Sequence, residues 1–377
     1  MTKSVIFHHP GPLASEPRSG SQVRPVRMLE AMRGLGYEVE NVSGSGSKRA
    51  QHIRRLVGEI RQGRNFDFVY SESRSIPTLL AEKNRLPFWP VYDLWFLKVL
   101  KGAKIPIGLY YRDVFWRFPR YRTMMPFPGR VITKPLYQFD WWWYCRYVDH
   151  LFLPSEGMAA HLPSDWPEDR VSGLPPGAPY MPDGALGVGE NSQTEPETLH
   201  LLYIGGVNPP GYDISDILAL AGSNPRTRLT VCCREAEWCR ASEYYARFLD
   251  SERVEIVHRS GQDALKLYES ADVFCILWPR DEYLDFAVPV KLFEAVGHAK
   301  PVITYSGTET ARIVERESVG WVVRDGAELS ALIDRLIDQP TTISTMQKQV
   351  VVSAKRNGWM ERVREVARCL SGVCLDD

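Results

Sequence analysis

The sequence alternates short apolar runs with longer amphipathic stretches, and this rhythm occurs twice. Each run is short enough for one β-strand. The first half contains "SVIFHH", "YEVENVSG", "FDFVYSES", "IPIGLYYRD" and "HLFLPS", and the second contains "LHLLYIGG", "RLTVCCRE", "VEIVHR", "DVFCILW", "PVITYSG" and "GWVVRD". Strands that alternate with helices predict right-handed βαβ units and parallel sheets. We therefore expect two α/β domains.

A change of composition separates the two halves. The stretch 174–198, "LPPGAPYMPDGALGVGENSQTEPET", is rich in proline, glycine and polar residues, as linkers between domains are. A chain of 377 residues also exceeds the size of one typical core. We predict a first domain over 1–180, a second over 198–350, and a helical tail over 351–377, where no strand pattern occurs.

Composition narrows the class of protein and its location. The chain is 44% hydrophobic and 24% charged, as soluble globular proteins are. Its zero formal net charge argues against a polyanion-binding role of the whole surface and leaves a local basic patch open, and we expect no nucleic-acid partner. The N-terminal apolar run is too short for a signal peptide, and no run approaches the about 20 apolar residues of a membrane-spanning helix. The seven cysteines do not have the spacing of a zinc-binding site, and we expect them to be reduced thiols. We expect a cytoplasmic protein.

Glycines follow strands in both halves, at the edge where parallel sheets bind ligands. Gly206 ends "LHLLYIGG", and Gly20 lies in "RSGSQVR" between a strand and a helix. A residue without Cβ lets the backbone approach a ligand closely, although a plain turn is the alternative at both positions. The motifs GxGxxG after the first strand and GxxxxGK[ST] are both missing, which disfavours a dinucleotide oxidoreductase and a P-loop ATPase.

Lys291 is unusual because it stands in the first turn of a helix predicted over 290–298. A cation there opposes the helix dipole. A bound phosphate would make the lysine favourable at this position, since backbone N–H groups and the lysine would converge on the same phosphate oxygens. Glu294 lies one turn further along the same face and can accept hydrogen bonds from a ribose diol. The alternative is a surface Lys–Glu pair worth about 0.2–0.5 kcal/mol.

In the first half, Arg112 and Asp113 follow the strand in "GLYYRD" and therefore stand at the edge of the sheet. Asp113 can serve as a general base toward an acceptor hydroxyl. Arg112 can bind a phosphate of the donor or of a lipid carrier. A structural Arg–Asp pair or a helix cap is the alternative.

The segment 110–147 interleaves aromatic residues with arginine and lysine. This mixture is typical of a surface that docks on anionic membrane lipids. It would also suit RNA stacking, but no RNA-binding signature accompanies it. The remaining alternative is that the rings fill the core of the first domain.

Segments of both halves resemble GT-B glycosyltransferases, in particular the retaining family 4 group and related bacterial polysaccharide and lipid-linked sugar transferases. The resemblance is carried by "ADVFCILWP", "PVKLFEAVGHAKPV", "VGWVV" and "LHLLYIGGV" in the second half, and by "SGSQVRPVRMLEAMRGLGYEVENVSG" near the N-terminus. It implies two Rossmann-like domains that face each other across a cleft, with the C-terminal helix packing back on the first domain.

The resemblance also implies roles for residues of the second domain. Glu294 takes the position of the carboxylate that holds the nucleotide ribose, and Lys291 would contact the donor diphosphate. The family's second glutamate would stand at Phe286, so Asp285, one position away, is the catalytic candidate near the sugar.

The family's basic pair after the glycine-ended strand is missing from "GGVNPPGYDISD". The charge of the donor diphosphate would then be neutralised by Lys291 with Arg234 or Arg280. Gly206 is a further candidate for contact with the donor. In the first domain, Gly20, Arg24 and Arg112 are the candidates for contact with the acceptor.

These observations predict a glycosyltransferase that moves a sugar from a nucleotide-sugar to a hydroxyl of a glycan or lipid-linked acceptor. No cofactor and no metal are expected, since no convincing DxD metal motif occurs. The family likeness favours retention, whereas inversion would need Asp113 as base. A GT-B sugar-nucleotide epimerase and a catalytically degenerate, membrane-associated partner subunit are the alternatives. We expect the protein in the cytoplasm, with segment 110–147 able to dock it on the inner face of the membrane.

Overall fold

The structure, a computed structural model, describes residues 3–17, 19–82, 89–179, 198–250 and 252–372. The chain divides into two compact units. Unit 1 comprises Met1–Pro176 together with Trp359–Asp377, and unit 2 comprises Gly177–Gly358. Most of the predicted linker lies outside the described residues.

The strands are β1 (Ser4–His8), β2 (Glu38–Val42), β3 (Phe68–Glu72), β4 (Ile107–Tyr110), β5 (His150–Leu153), β6 (Val171–Gly173), β7 (Leu199–Ile204), β8 (Thr227–Cys232), β9 (Val254–Val257), β10 (Val273–Ile276), β11 (Val302–Tyr305) and β12 (Gly320–Val323). The helices are α1 (Gly20–Gly34), α2 (Gly46–Arg61), α3 (Pro90–Gly102), α4 (Arg120–Met124), α5 (Phe127–Tyr147), α6 (Ser215–Ser223), α7 (Glu235–Tyr245), α8 (Gln262–Ser270), α9 (Val290–Gly297), α10 (Glu309–Glu317), α11 (Gly326–Asp338), α12 (Thr341–Arg356) and α13 (Trp359–Ser371).

Each unit is built on one six-stranded parallel sheet. The strand order is β2-β1-β3-β4-β5-β6 in unit 1 and β12-β11-β10-β7-β8-β9 in unit 2. All eleven predicted strands are present, which confirms the predicted fold class. The strand that the sequence pattern missed, β6, has three half-buried residues and pairs only with β5, so it carries no apolar run.

Strands β7, β10 and β11 of unit 2 are largely apolar because both faces of the sheet are covered there. Along β7, Leu201 and Tyr203 join the cluster that contains residues of α6 and α11. The alternate residues Leu202 and Ile204 join the cluster that contains residues of α9 and α12. This burial on both sides explains why the sequence shows continuous apolar runs.

The C-terminal helix α13 belongs to unit 1, as predicted. Val363 and Val366 are fully buried in the same cluster as Val5 of β1. Gly108 of β4 makes room for the helix, since a Cβ there would lie 2.8 Å from Leu370 Cδ1. The helix begins at Trp359 rather than at 351 because α12 continues to Arg356 within unit 2.

Candidate functional site

In unit 2, Lys291 lies in the first turn of α9, as predicted. The helix begins after Pro289, which cannot cap it through a side chain, and its first turn contains no acidic residue. Leu292 and Phe293 bury the opposite face. The Lys291 side chain is 35% exposed, and its Nζ contacts the carboxylate of Glu294, which is 14% exposed. A cation and uncapped helix amides therefore lie together at this end of α9.

A second cation, Arg259, reaches the same neighbourhood from the loop after β9. Cys232 at the end of β8 donates through Sγ to the carbonyl of Arg259 at 3.4 Å. Burial raises the pKa of the Cys232 thiol, while the charges of Lys291 and Arg259 act to lower it. Both cations are thus close enough to the Cys232 sulfur to influence it. Arg259 was not among the residues predicted from sequence. It ends the predicted strand "VEIVHR" and therefore stands at the edge of the sheet where parallel sheets bind ligands.

Two further rings line the inner side of this site. Tyr268 is fully buried and stacks on His298 with ring centroids 4.7 Å apart. Burial raises the pKa of Tyr268, and the charge of Glu294 adds to this effect. Burial lowers the pKa of His298 to about 4, helped by Lys300 and Lys291. His298 is therefore neutral at physiological pH.

Gly206 and Arg234, the other predicted donor-binding residues, approach each other through Glu237. A Cβ at Gly206 would lie 3.5 Å from Glu237 Oε2. Arg234 caps α7 by position, is exposed, and donates from Nη1 to Glu237 Oε1 at 2.6 Å. These residues stand after β7 and β8, at the same edge of the sheet as Cys232.

Asp285 is held by an arginine. Arg280 donates from Nε and Nη2 to the two carboxylate oxygens of Asp285 at 2.8 and 2.6 Å. Phe286, at the position of the expected glutamate, is buried and its ring contacts that of Tyr283. The carboxylate predicted to act near the sugar is thus already paired with a cation.

In unit 1, Arg112 is fixed by three interactions of its guanidinium. Nη2 donates to Glu72 Oε2 at 2.6 Å, Nη1 to the carbonyl of Ser21 at 2.9 Å, and Nε to the carbonyl of Ser73 at 3.2 Å. Gly20 precedes Ser21 and is exposed at the start of α1. Arg112 and Gly20 are therefore brought together.

Arg24 is 2% exposed and lies inside unit 1, which differs from the surface position expected of an acceptor contact. Its guanidinium carbon stands 3.5 Å from the ring centroid of Tyr110 and 5.9 Å from that of Trp359. Its Nε is 3.6 Å from Glu72 Oε1. Arg24 is buried through tertiary packing, because α13 covers the side of α1 that carries this arginine.

Asp113 caps a turn. Its Oδ1 accepts a hydrogen bond from the amide of Phe115 at 2.8 Å, at the start of the 3-10 helix Phe115–Arg117. The carboxyl group is half-buried. The helix-cap alternative is therefore present, and Arg112 makes an ion pair with Glu72.

The aromatic segment divides between core and surface. Trp116, Tyr121 and Tyr137 pack together in unit 1, whereas α5 exposes Phe127 by 71% and Trp142 by 54%. No helix in the described part of the chain is long and apolar enough to cross a membrane. Nor do the described residues contain a group of three or more His, Cys, Asp or Glu side chains that could hold a metal ion.

Residues 200–339 match the family model described as Glycosyl transferases group 1. The matched range lies within unit 2. The matched range includes Lys291, Glu294 and Arg259. A search of curated protein sequences gave no match.

Solved structures show the fold of the whole chain. A glycosyltransferase from Rickettsia africae is similar with a TM-score of 0.63 and 14% identity, covering 98% of each chain. Anabaena HepE, solved in complex with UDP and glucose, is similar with a TM-score of 0.62 and 14% identity, and the match covers 98% of this chain and 100% of HepE. WaaG, a glycosyltransferase involved in lipopolysaccharide biosynthesis, is similar with a TM-score of 0.58 and 15% identity. The match covers 98% of this chain and 100% of WaaG. The predicted GT-B fold and resemblance are confirmed.

Proposed function

We propose that the protein transfers a sugar from a nucleotide-sugar, bound by unit 2, to a hydroxyl of a glycan or lipid-linked acceptor bound by unit 1. The observation that carries this proposal is the pairing of Lys291 with Glu294 at the uncapped start of α9. The complexes of HepE with UDP and UDP-glucose support the class of donor.

In this proposal the donor diphosphate replaces Glu294 as the partner of Lys291. The first-turn amides of α9 and the exposed Arg259 supply the remaining positive charge. Glu294, released from the lysine, accepts hydrogen bonds from the ribose hydroxyls. A diphosphate neutralised in this way needs no divalent metal, and we propose a metal-independent transfer.

The reaction breaks the bond between the anomeric carbon and the donor phosphate oxygen. A bond from the acceptor oxygen to the anomeric carbon forms, the hydroxyl proton leaves, and the nucleoside diphosphate departs. We propose retention of configuration, in which the departing phosphate receives the proton. Asp113 is then free to keep its capping role. The Arg280–Asp285 pair orients the loop that precedes α9.

We also propose that unit 1 docks on anionic lipid through α5. At about 100° per residue, Phe127, Val131 and Trp142 fall within about 60° around the helix axis. Val131 is 60% exposed, and Lys134 on the same side of the helix is exposed too. An exposed apolar stripe beside a cation suits an interface with anionic headgroups.

A catalytically degenerate subunit is the second candidate, and one observation favours it. Asp285 is neutralised by Arg280, and Phe286 supplies no carboxylate in its place. Such a subunit would retain the fold and the membrane face without turnover.

Thermal-shift measurements against a panel of nucleotide-sugars test the proposal. A donor at 100 times its dissociation constant should stabilise the protein by about 2.7 kcal/mol. Transfer should then be followed as nucleoside diphosphate released only when an acceptor is added, with EDTA present. Release without any acceptor would favour the epimerase or a hydrolase. No shift with any nucleotide-sugar, and none with millimolar UDP or GDP, would favour the degenerate subunit.

A further inference from the structure

A second concentration of positive charge lies in unit 1, where β1, β3 and β4 end. Four arginines meet three carboxylates there: Arg24, Arg49, Arg74 and Arg112 with Glu72, Glu82 and Asp93. Glu72 serves both Arg24 and Arg112. Arg49 occupies the other two, at 3.0 Å from Glu82 and 2.7 Å from Asp93. Within the described residues, none of these carboxylates makes a direct ion pair with Arg74, although the charge of Glu82 acts on it from a distance.

Arg74 lies two residues after β3 and is half-buried. Its Nη1 donates to the carbonyl of Ala81 at 2.5 Å and is 3.5 Å from that of Pro10. Within the described ranges it makes no ion pair, and Nε and Nη2 make no hydrogen bond. Burial lowers the pKa of Arg74, and the charges of Arg49 and Arg112 lower it further, against the opposing charge of Glu82. A partly desolvated cation in this position is costly unless an anion accompanies it.

The loop after β1 leaves the guanidinium in contact with backbone. A Cβ at Gly11 would lie 3.1 Å from Arg74 Nη1, so this glycine allows the close approach. His9 Nδ1 is 3.0 Å from the carbonyl of Gly11, and this nitrogen therefore carries the proton. Burial lowers the pKa of His9 to about 3, with Arg112 and Arg74 adding to the effect. The neighbouring imidazole is thus neutral, and Arg74 is the cation beside it that has no direct ion pair.

We propose that Arg74 binds a phosphate group carried by the acceptor. A guanidinium presents a planar fork of N–H groups that matches two phosphate oxygens. The proposal rests on the proposed function for the role of the phosphate-bearing molecule, but the anion site stands without it. A soluble sugar phosphate and the phosphate of a lipid-linked acceptor offer the same group.

Calorimetric titration of the full chain with inorganic phosphate tests the site. The chain should carry Lys291→Ala throughout, so that phosphate bound beside α9 does not contribute. Adding Arg74→Gln should weaken phosphate binding at least about tenfold, as loss of a charged hydrogen bond does. The matched control is Arg61→Gln, which removes the same charge from an exposed position at the end of α2. Equal affinities of these two variants would overturn the proposal.

Two further variants keep the test valid if Arg74→Gln does not fold. Arg74→Lys keeps the charge but loses the fork, and Gly11→Ala displaces the guanidinium without any change of charge. Both should weaken phosphate binding by several-fold relative to Arg61→Gln. Unchanged affinity in both would contradict the site.

The source of the phosphate is distinguished by glycerol 3-phosphate in solution and vesicles that contain phosphatidic acid. Binding of either that depends on Arg74 supports the proposal and assigns the source. In a chain that keeps Lys291, UDP or GDP binding should be the same with and without Arg74→Gln. If neither nucleotide binds wild type while phosphate binding depends on Arg74, the donor proposal fails and the anion site remains.

Discussion

Lys291 Nζ contacts the carboxylate of Glu294 within one turn of α9, so the two side chains neutralise each other in the ligand-free protein. The order of charges opposes the helix dipole, and the pair adds about 0.2–0.5 kcal/mol at most. An arrangement so weak for stability is well suited to exchange its partners when a diphosphate and a ribose arrive.

Lys291→Ala should therefore reduce donor binding much more than stability. We expect the dissociation constant of the nucleoside diphosphate to rise about 10–100-fold, as loss of a charge-assisted hydrogen bond predicts. Calorimetry with UDP and GDP measures this. The matched control is Lys266→Ala, which breaks an exposed pair with Asp263 at the same spacing. A dissociation constant that responds equally to both substitutions would contradict the donor site.

Asp113→Asn separates retention from inversion. The asparagine keeps a side-chain oxygen for the amide of Phe115, so the turn should persist. Under retention we expect kcat to fall less than about tenfold. Removal of a general base would instead cost about 10²–10⁴-fold. A loss of that size, with donor binding intact, would show that Asp113 acts as the base.

The fold could be predicted from sequence because burial on both sides of a sheet leaves a local record. β7 is a largely apolar run, whereas the half-buried edge strand β6 is not. Lys291 and Glu294 could be found because one helix turn fixes their spacing. The burial of Arg24 could not be predicted from sequence, since Trp359 from the other end of the chain helps to enclose it. The pairing of Asp285 with Arg280 likewise depends on a loop conformation that residue types do not encode.

Asp140 of α5 should make stability fall as pH rises. Burial raises its pKa to about 7, while Thr78 donates to one carboxyl oxygen. An unfolded aspartic acid has a pKa of about 3.9, so between about pH 4 and 7 the folded protein holds a proton that the unfolded chain has lost. The contribution is full below pH 4 and falls by roughly 4 kcal/mol as pH rises through 7.

Asp140→Asn should remove this slope. Denaturant unfolding at a series of pH values measures the difference between variant and wild type, which cancels the opposite slopes expected from His9 and His298, whose pKa values burial lowers. Parallel curves for the two proteins would show that Asp140 is ionised in the folded state.

Gly108→Ala tests the docking of α13 on unit 1. A Cβ would lie 2.6 Å from Phe152 Cε2 and 2.8 Å from Leu370 Cδ1, so these side chains must move. We expect a loss of about 1–3 kcal/mol in the free energy of unfolding. Gly58→Ala in α2 meets no atom within 4 Å and should instead stabilise by about 0.5–1 kcal/mol. Leu370→Ala should relieve part of the strain, so that the double mutant loses less than the sum.

Removal of the apolar stripe on α5 should release the protein from anionic vesicles. The double substitution Phe127→Ser and Val131→Ser replaces two side chains of this stripe, which are 71% and 60% exposed. Since each buried methylene contributes about 0.8 kcal/mol, the partition coefficient should fall at least about tenfold. Sedimentation with phosphatidylglycerol vesicles measures it. Val352→Ser is the control, because Val352 is 52% exposed on α12 in unit 2. Binding that is lost in high salt but not in the α5 variant would assign attachment to the cations alone.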